Sequence, residues 1–349
     1  MKKIFVGLVA SLMVLVGCGS NSSGQEVLRV YNWGEYIDTD VISAFEEEYG
    51  VRVQYDTFTS NEEMYTKLLS GETYDVIVPS DYTIQRLREE GLLSKIDFSK
   101  ITNYSNISDD YQDRHFDPNN EYSVPYFVGS VGIVYDTTKV DSSVVEAQGW
   151  EIFKNTDYNG QVFFYDSERD GFMVALKALG YSMNTENEQE LNEAYEWLVE
   201  MKAATNPIFV TDTVIDGMIG GEKSIAVMYS GDATFVISEN ENLEYFEPKQ
   251  GTNLWIDSMV IPEVSQNKDL AHKFIDFITR EENSMANSVY VGYSSPIEAV
   301  VEELTAEGGE FEGISSYIPR ADFDLDEEFF YNAVTKEIMG DLWIKVISQ

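Results

Sequence analysis

The chain has 349 residues, of which 62 are acidic and 23 basic, giving a formal net charge of −39, and it contains a single cysteine. That charge argues against nucleic acid and anionic lipid headgroups as partners, because both are held through Lys and Arg; it suits a cationic ligand, although solubility alone accounts for much of it. One cysteine rules out an intrachain disulfide, so a packed core must carry the fold, and the length is enough for two domains.

At the N-terminus, Lys2 and Lys3 precede an apolar run over 4–16. The run is shorter than the ~20 residues a membrane span needs and reads as the core of an export signal. It closes on Leu15-Val16-Gly17-Cys18, followed by a Ser/Gly-rich stretch. Leu-Val-Gly-Cys resembles the bacterial lipobox. The resemblance implies a lipoprotein signal peptide over 1–17, acylation of Cys18, and a flexible tether over 18–26. An ordinary secretory signal with a chance cysteine is the alternative. No later segment is long and apolar enough to span a bilayer, so the expected place is the bacterial cell surface or periplasm, held by lipid.

Beyond the tether, strands alternate with helices. Residues 27–33 read as a strand, 39–49 as an amphipathic helix stopped by Gly50, and 51–58 as a second strand. Ser60 and Glu63 form a capping box opening a helix to about residue 70. A short buried strand over 74–78 and a helix around Ile84 and Leu87 follow. This βαβαβα order predicts a parallel sheet covered by helices. A second α/β region has strands expected at 124–135, 161–165 and 224–229 and helices at 172–179, 188–203 and 233–239. A strand over 254–261 and a helix over 269–279 come after it.

Several chemical motifs fail on inspection. Gly217 to Ser224 has Glu222 where a phosphate loop requires Gly, and a helix precedes it where a strand should. Asp322-Phe323-Asp324-Leu325-Asp326 opens like a calcium loop, but Glu327 replaces the turn glycine and Ala333 the bidentate Glu. His115 and His272 lie in unrelated contexts, which disfavours zinc. No G-x-S-x-G elbow is present. No metal or other cofactor is expected.

Strand ends in an open α/β sheet face the ligand crevice. Here they carry Tyr31-Asn32-Trp33-Gly34-Glu35-Tyr36, Val78-Pro79-Ser80-Asp81-Tyr82, Tyr165-Asp166-Ser167-Glu168-Arg169-Asp170, Met228-Tyr229-Ser230-Gly231-Asp232 and Trp255-Ile256-Asp257-Ser258, with Gly292-Tyr293-Ser294 after a helix. Each sets an aromatic beside a carboxylate or hydroxyl. Such pairs suit an alkyl polyamine: carboxylates take the ammonium heads and aromatic faces cover the methylenes, at ~0.5–2 kcal/mol per cation–π contact.

The stretches 31–36, 60–68, 78–82, 116–120 with Ser123-Val124-Pro125-Tyr126, Gly180-Tyr181-Ser182, 254–262 and Gly292-Tyr293 together resemble the spermidine/putrescine-binding proteins of polyamine ABC importers, and the similarity runs over about residues 28–297. The resemblance implies an α/β type II periplasmic-binding-protein fold, with two lobes joined by crossing strands and a ligand cleft between them. It places 27–132 plus 257–299 in lobe 1 and 133–256 plus 300–349 in lobe 2. It implies ligand contacts from Trp33, Glu35, Tyr36, Ser80 and Tyr82 in the first lobe. From the second it implies Asp170 for an amine, Tyr229 as a packing aromatic, and Ser167 where some relatives carry an acid. Trp255 and Asp257 match the central aromatic and the inner-amine carboxylate, and Tyr293 a further wall. Gly34 replaces a hydroxyl residue of some relatives. The tail from Gly313 does not align, so a family contact there, often Gln, has no counterpart.

The expected function is therefore capture of spermidine or putrescine by a monomeric, non-catalytic lipoprotein that delivers it to an ABC permease. Three acids, Glu35, Asp170 and Asp257, predict spermidine over putrescine by about tenfold; Ser167 removes a charge that some relatives place beside Asp170, for which Glu168 or Asp81 is the candidate replacement. A binder of another organic cation or an amino acid is an alternative, with Arg169 as the one candidate for a ligand carboxylate. A secreted hydrolase working through paired carboxylates is another.

Overall fold

The computed structural model describes residues 25–211, 213–320 and 323–348. The signal peptide and Cys18 lie outside the described residues. The described residues form nine strands: β1 (Val27–Trp33), β2 (Arg52–Phe58), β3 (Val76–Ile77), β4 (Ser123–Asp136), β5 (Val162–Tyr165), β6 (Ile208–Val210), β7 (Ile225–Tyr229), β8 (Leu243–Phe246) and β9 (Leu254–Val260). Their order is β2-β1-β3-β9-β4-β7-β5-β6, with β8 also on β4.

This path is two sheets sharing one strand. β1 runs parallel to β2 and β3, whereas β9 is antiparallel to both β3 and β4. In the second sheet β5 runs parallel to β6 and β7, and β4 is antiparallel to β7 and β8. The first half of β4, through Ser130, pairs with β9; from Val131 on, it pairs with β7 and β8. All fourteen β4 residues are buried. Pro125 sits at a register shift, where its missing N–H breaks no ladder bond. The chain returns at Asn253, whose carbonyl accepts from Val131 N, before β9 begins. β4 and the 253–254 return are thus the strands that cross between lobes.

Local signals fix the helices. Asp38 caps Thr39–Tyr49 by accepting from Asp40 N, and Gly50 ends that helix at φ 66°, in the left-handed region open to glycine. Ser60 caps Asn61–Leu69 by accepting from Glu63 N, while the Glu63 carboxylate reaches back to Thr59 N. Each lobe has its own core. Phe45 packs edge-on against Phe274 and Phe277 in the first, and Trp150, Phe153 and Phe164 group in the second. Fully burying one such ring stabilises by ~1.5–3 kcal/mol. Helix Glu298–Thr305 buries Val300 and Leu304 with Ile107, Ile297 and Tyr317, so the division expected at 299/300 falls inside a helix. The last helix, Ala333–Ser348, seats Leu342 and Trp343 in the second-lobe core.

Candidate functional site

The carboxyl ends of β1, β3, β5 and β7 reach the gap between the sheets, beside β9, which pairs with β3 and the first half of β4. β9 brings Trp255 and Asp257. Asp257 is 5% exposed, and its Oδ2 accepts a hydrogen bond from the Tyr36 hydroxyl at 2.9 Å. Its Oδ1 is buried without a partner among the described residues. Burial pushes this carboxyl up to about 6, against the opposing pull of the Ser80 and Tyr36 hydroxyls. Ser80 faces Asp257 through a backbone bridge. Tyr36 is itself fixed by Tyr126, whose hydroxyl donates to the Tyr36 carbonyl at 2.6 Å.

An aromatic wall runs from this acid into the second lobe. Tyr36 meets Tyr293 edge-on with centroids 5.7 Å apart, and Tyr293 meets Trp255 edge-on at 5.0 Å. Trp255 stands perpendicular to Tyr229 at 6.5 Å, and Tyr229 stacks on Tyr165 at 4.7 Å. Two glycines make room. A Cβ on Gly129 would lie 2.3 Å from the Trp255 ring, and one on Gly231 would lie 2.3 Å from the Tyr293 ring.

The far end of the wall is Asp170. Its Oδ2 accepts from the Tyr229 hydroxyl at 2.7 Å and the Ser167 hydroxyl at 2.6 Å. Ser167 also caps helix Glu168–Ala178, so one residue orients both the helix start and the acid. Burial raises the Asp170 pKa, and the Ser167 and Tyr229 hydroxyls and the Arg169 charge hold it back.

Tyr82 is brought to the same gap. Asn61 donates to the Tyr82 hydroxyl at 2.8 Å and to Ser80 Oγ at 3.1 Å. Arg169, from the second lobe, lies over the Tyr82 ring at 3.7 Å and near Phe329 at 5.1 Å. It is thus a cross-lobe stacking contact. Beside this stack lies a cavity of about 210 Å³ lined by Gln85, Glu168, Arg169, Phe329 and Lys336 among others, away from Asp257. The tail spans the lobes on this side. Glu327 pairs with Lys177, Glu328 with Arg114, and Lys336 with Glu62, while Tyr331 N donates to Gln85 Oε1 at 2.8 Å.

The structure therefore gathers Tyr36, Ser80, Tyr82, Ser167, Asp170, Tyr229, Trp255, Asp257 and Tyr293. Trp33 flanks them, half-buried against Phe58 at 4.5 Å, with its indole N–H buried and unpartnered among the described residues. Glu35 is elsewhere: it is exposed at φ 48°, and its Oε2 accepts from the exposed Tyr290 hydroxyl. Four residues at the site lie outside the contacts that the resemblance implied. Asp232 takes the hydroxyls of Tyr293 at 3.2 Å and Tyr165 at 3.3 Å. Asn61 braces Ser80 and Tyr82, Glu328 comes from the tail, and Asp81 is wholly buried beside Ser80. Asp81 and Asp232 stand in the strand-end stretches quoted above, but an acid's burial is a tertiary property that no sequence pattern carried.

Two α/β lobes joined by crossing strands, with an aromatic-walled acid pair between them, make the frame of a solute-binding protein. The chain belongs to the bacterial extracellular solute-binding proteins, whose family model matches residues 40–311. It is similar to the spermidine/putrescine-binding periplasmic protein of Escherichia coli K12, at 33% identity over 302 residues, covering 86% of each chain. Among solved structures, it is similar to the spermidine/putrescine ABC transporter substrate-binding protein of Streptococcus pneumoniae. That match has 36% identity and a TM-score of 0.81, and covers 93% of this chain and 99% of the other. It is also similar to a Treponema pallidum lipoprotein, at 29% identity with a TM-score of 0.80, covering 92% and 99%. The two-lobe periplasmic-binding-protein fold expected from the sequence is the fold of these relatives.

Proposed function

We propose that this chain captures a polyamine, spermidine or putrescine, between its lobes and hands it to an ABC importer without turnover. The observation that carries the reading is Asp257: a carboxylate enclosed by Trp255, Tyr36 and Tyr293, with one oxygen unpartnered among the described residues. A buried anion without a cation is costly, and an ammonium head supplies that cation. The aromatic wall toward Asp170 suits the methylene chain, and Asp170 suits the second head. Lobes that close on the ligand expel water and strengthen both charge pairs.

Similar proteins support the reading: they are a spermidine/putrescine-binding periplasmic protein and a spermidine/putrescine ABC transporter substrate-binding protein. The protein works as a monomer at the cell surface, anchored through acylated Cys18, in line with the lipobox and with a relative described as a lipoprotein. Calorimetric titration tests the binding claim. One polyamine should bind per chain and raise the melting temperature by linkage. No heat and no thermal shift with either polyamine would overturn it. Membrane fractionation of Cys18→Ser tests the anchor: the variant should leave the membrane with its ligand affinity intact.

A further inference from the structure

We infer that Asp81 is the third carboxylate of the cleft and the residue that separates a triamine from a diamine. The inference rests on the polyamine reading above and assigns the reading of ligand length to one side chain.

The sequence pattern pointed to Glu35 for a third acid. Its exposed carboxylate, occupied by Tyr290, is screened by water and gives little discrimination. Asp81 is the opposite case. It is 0% exposed; its Oδ1 accepts from Tyr82 N at 2.6 Å, and its Oδ2 is buried with no hydrogen-bond partner among the described residues. It follows Ser80, whose backbone bridges Asp257, so the two acids sit on adjoining segments. The charged groups that face it are Glu328 from the tail, Asp257 from β9 and Arg169 from the second lobe. Glu328 is already paired with Arg114, and Arg169 stacks on Tyr82, so the open oxygen of Asp81 has no hydrogen-bonded cation among the described residues.

The charge logic follows. Burial first, then Glu328 and Asp257, drive the Asp81 pKa well above the usual carboxylate range, against the Tyr82 N–H and Arg169. Burial and the neighbouring acids therefore favour the neutral form of Asp81 in the empty cleft, and an arriving cation favours the charged form. A diamine is served by Asp257 and Asp170 at the two ends of the aromatic wall. A third ammonium needs a third acid, and Asp81 is the enclosed acid with an acceptor to spare. Its pairing with that ammonium favours release of the proton.

The test titrates wild type, Asp81→Asn and Glu35→Gln with spermidine and putrescine at one salt concentration. Repeating the wild-type titrations in two buffers of different ionisation enthalpy counts released protons. Wild type should prefer spermidine by about tenfold, and Asp81→Asn should bring the two ligands within about threefold by weakening spermidine alone. Glu35→Gln should leave the preference intact. On wild type, spermidine should release more protons than putrescine. This count decides the matter if Asp81→Asn fails to fold. An unchanged preference in folded Asp81→Asn, an equal loss for both ligands, or equal proton release overturns the role of Asp81 and leaves polyamine capture standing. Wild type that binds neither ligand overturns both.

Discussion

Asp257 and Asp170 are buried carboxylates at opposite ends of one aromatic wall, and the protein keeps them differently. Asp170 is provided for: two hydroxyls meet its Oδ2, it lies in the first turn of a helix whose N–H groups favour an anion, and Arg169 is its chain neighbour. Asp257 has the Tyr36 phenol on Oδ2, the pull of the nearby Ser80 hydroxyl, and an Oδ1 with no hydrogen-bond partner among the described residues. A ligand ammonium therefore adds little at Asp170 that is not already supplied, and much at Asp257. The difference locates affinity and pH dependence at the Asp257 end and orientation at the Asp170 end.

The strongest way to break this comparison is charge removal. Asp257→Asn should cost ~2–5 kcal/mol of polyamine binding, because the ammonium loses its buried partner. Without ligand, the variant should melt no lower than wild type at pH 7, since a poorly compensated buried charge is gone. Titration and thermal melts check both, and equal affinity losses in Asp257→Asn and Asp170→Asn would erase the distinction.

The next effect is pH. The carboxyl of folded, unliganded Asp257 lies at about 6, above the ~3.9 of an unfolded Asp. Between those values the folded state holds more protons, so this group favours the fold at acid pH and that contribution is lost as pH rises through about 6. Ligand binding has the opposite sense, because a proton competes with the ammonium. Affinity should fall about tenfold from pH 7 to pH 5 in wild type, and the part due to Asp257 should vanish in Asp257→Asn. A flat wild-type profile would mean that Asp257 stays ionised throughout.

The smallest effect sharpens the Asp170 side. Ser167→Ala removes a helix cap and one of two donors to the acid, and should lower stability by ~1 kcal/mol in denaturant unfolding. Its affinity loss should be smaller than that of Asp257→Asn, because Tyr229 still holds Asp170.

Much of the first lobe was legible because its patterns are local. The helix 39–49 has an apolar face and a glycine stop, and Ser60 with Glu63 marks the next helix start. The second-lobe helix was expected from 172, yet it begins at Glu168, since a polar first turn of Glu, Arg and Asp hides the period. The last helix went unread because its apolar residues lie on both faces: Leu342 and Trp343 are buried, while Val334 and Ile344 are exposed. β6 and β8, at three and four residues, are too short to show alternation. At the site, the adjacency of aromatic and acid singled out Trp255 with Asp257, and the structure places both at the gap. The same rule misled at Glu35, where a positive φ turns the side chain outward to Tyr290. It passed over Asp232 and left the direction of Asp81 open, because the enclosure of both depends on the opposite lobe and the tail.

β4 has a consequence for how the molecule comes apart. Its first half is the outer neighbour of β9, and its second half is the strand on which β7 and β8 both lean. Melting either lobe pulls this strand from the other and strips ladder bonds from a sheet that was otherwise intact. Heating should therefore give one cooperative transition with matching calorimetric and van't Hoff enthalpies, although the apolar core is divided between lobes. For the same reason, a protease cut in a surface loop cannot liberate one lobe as a folded fragment: the lobes are units of shape, while stability belongs to the pair.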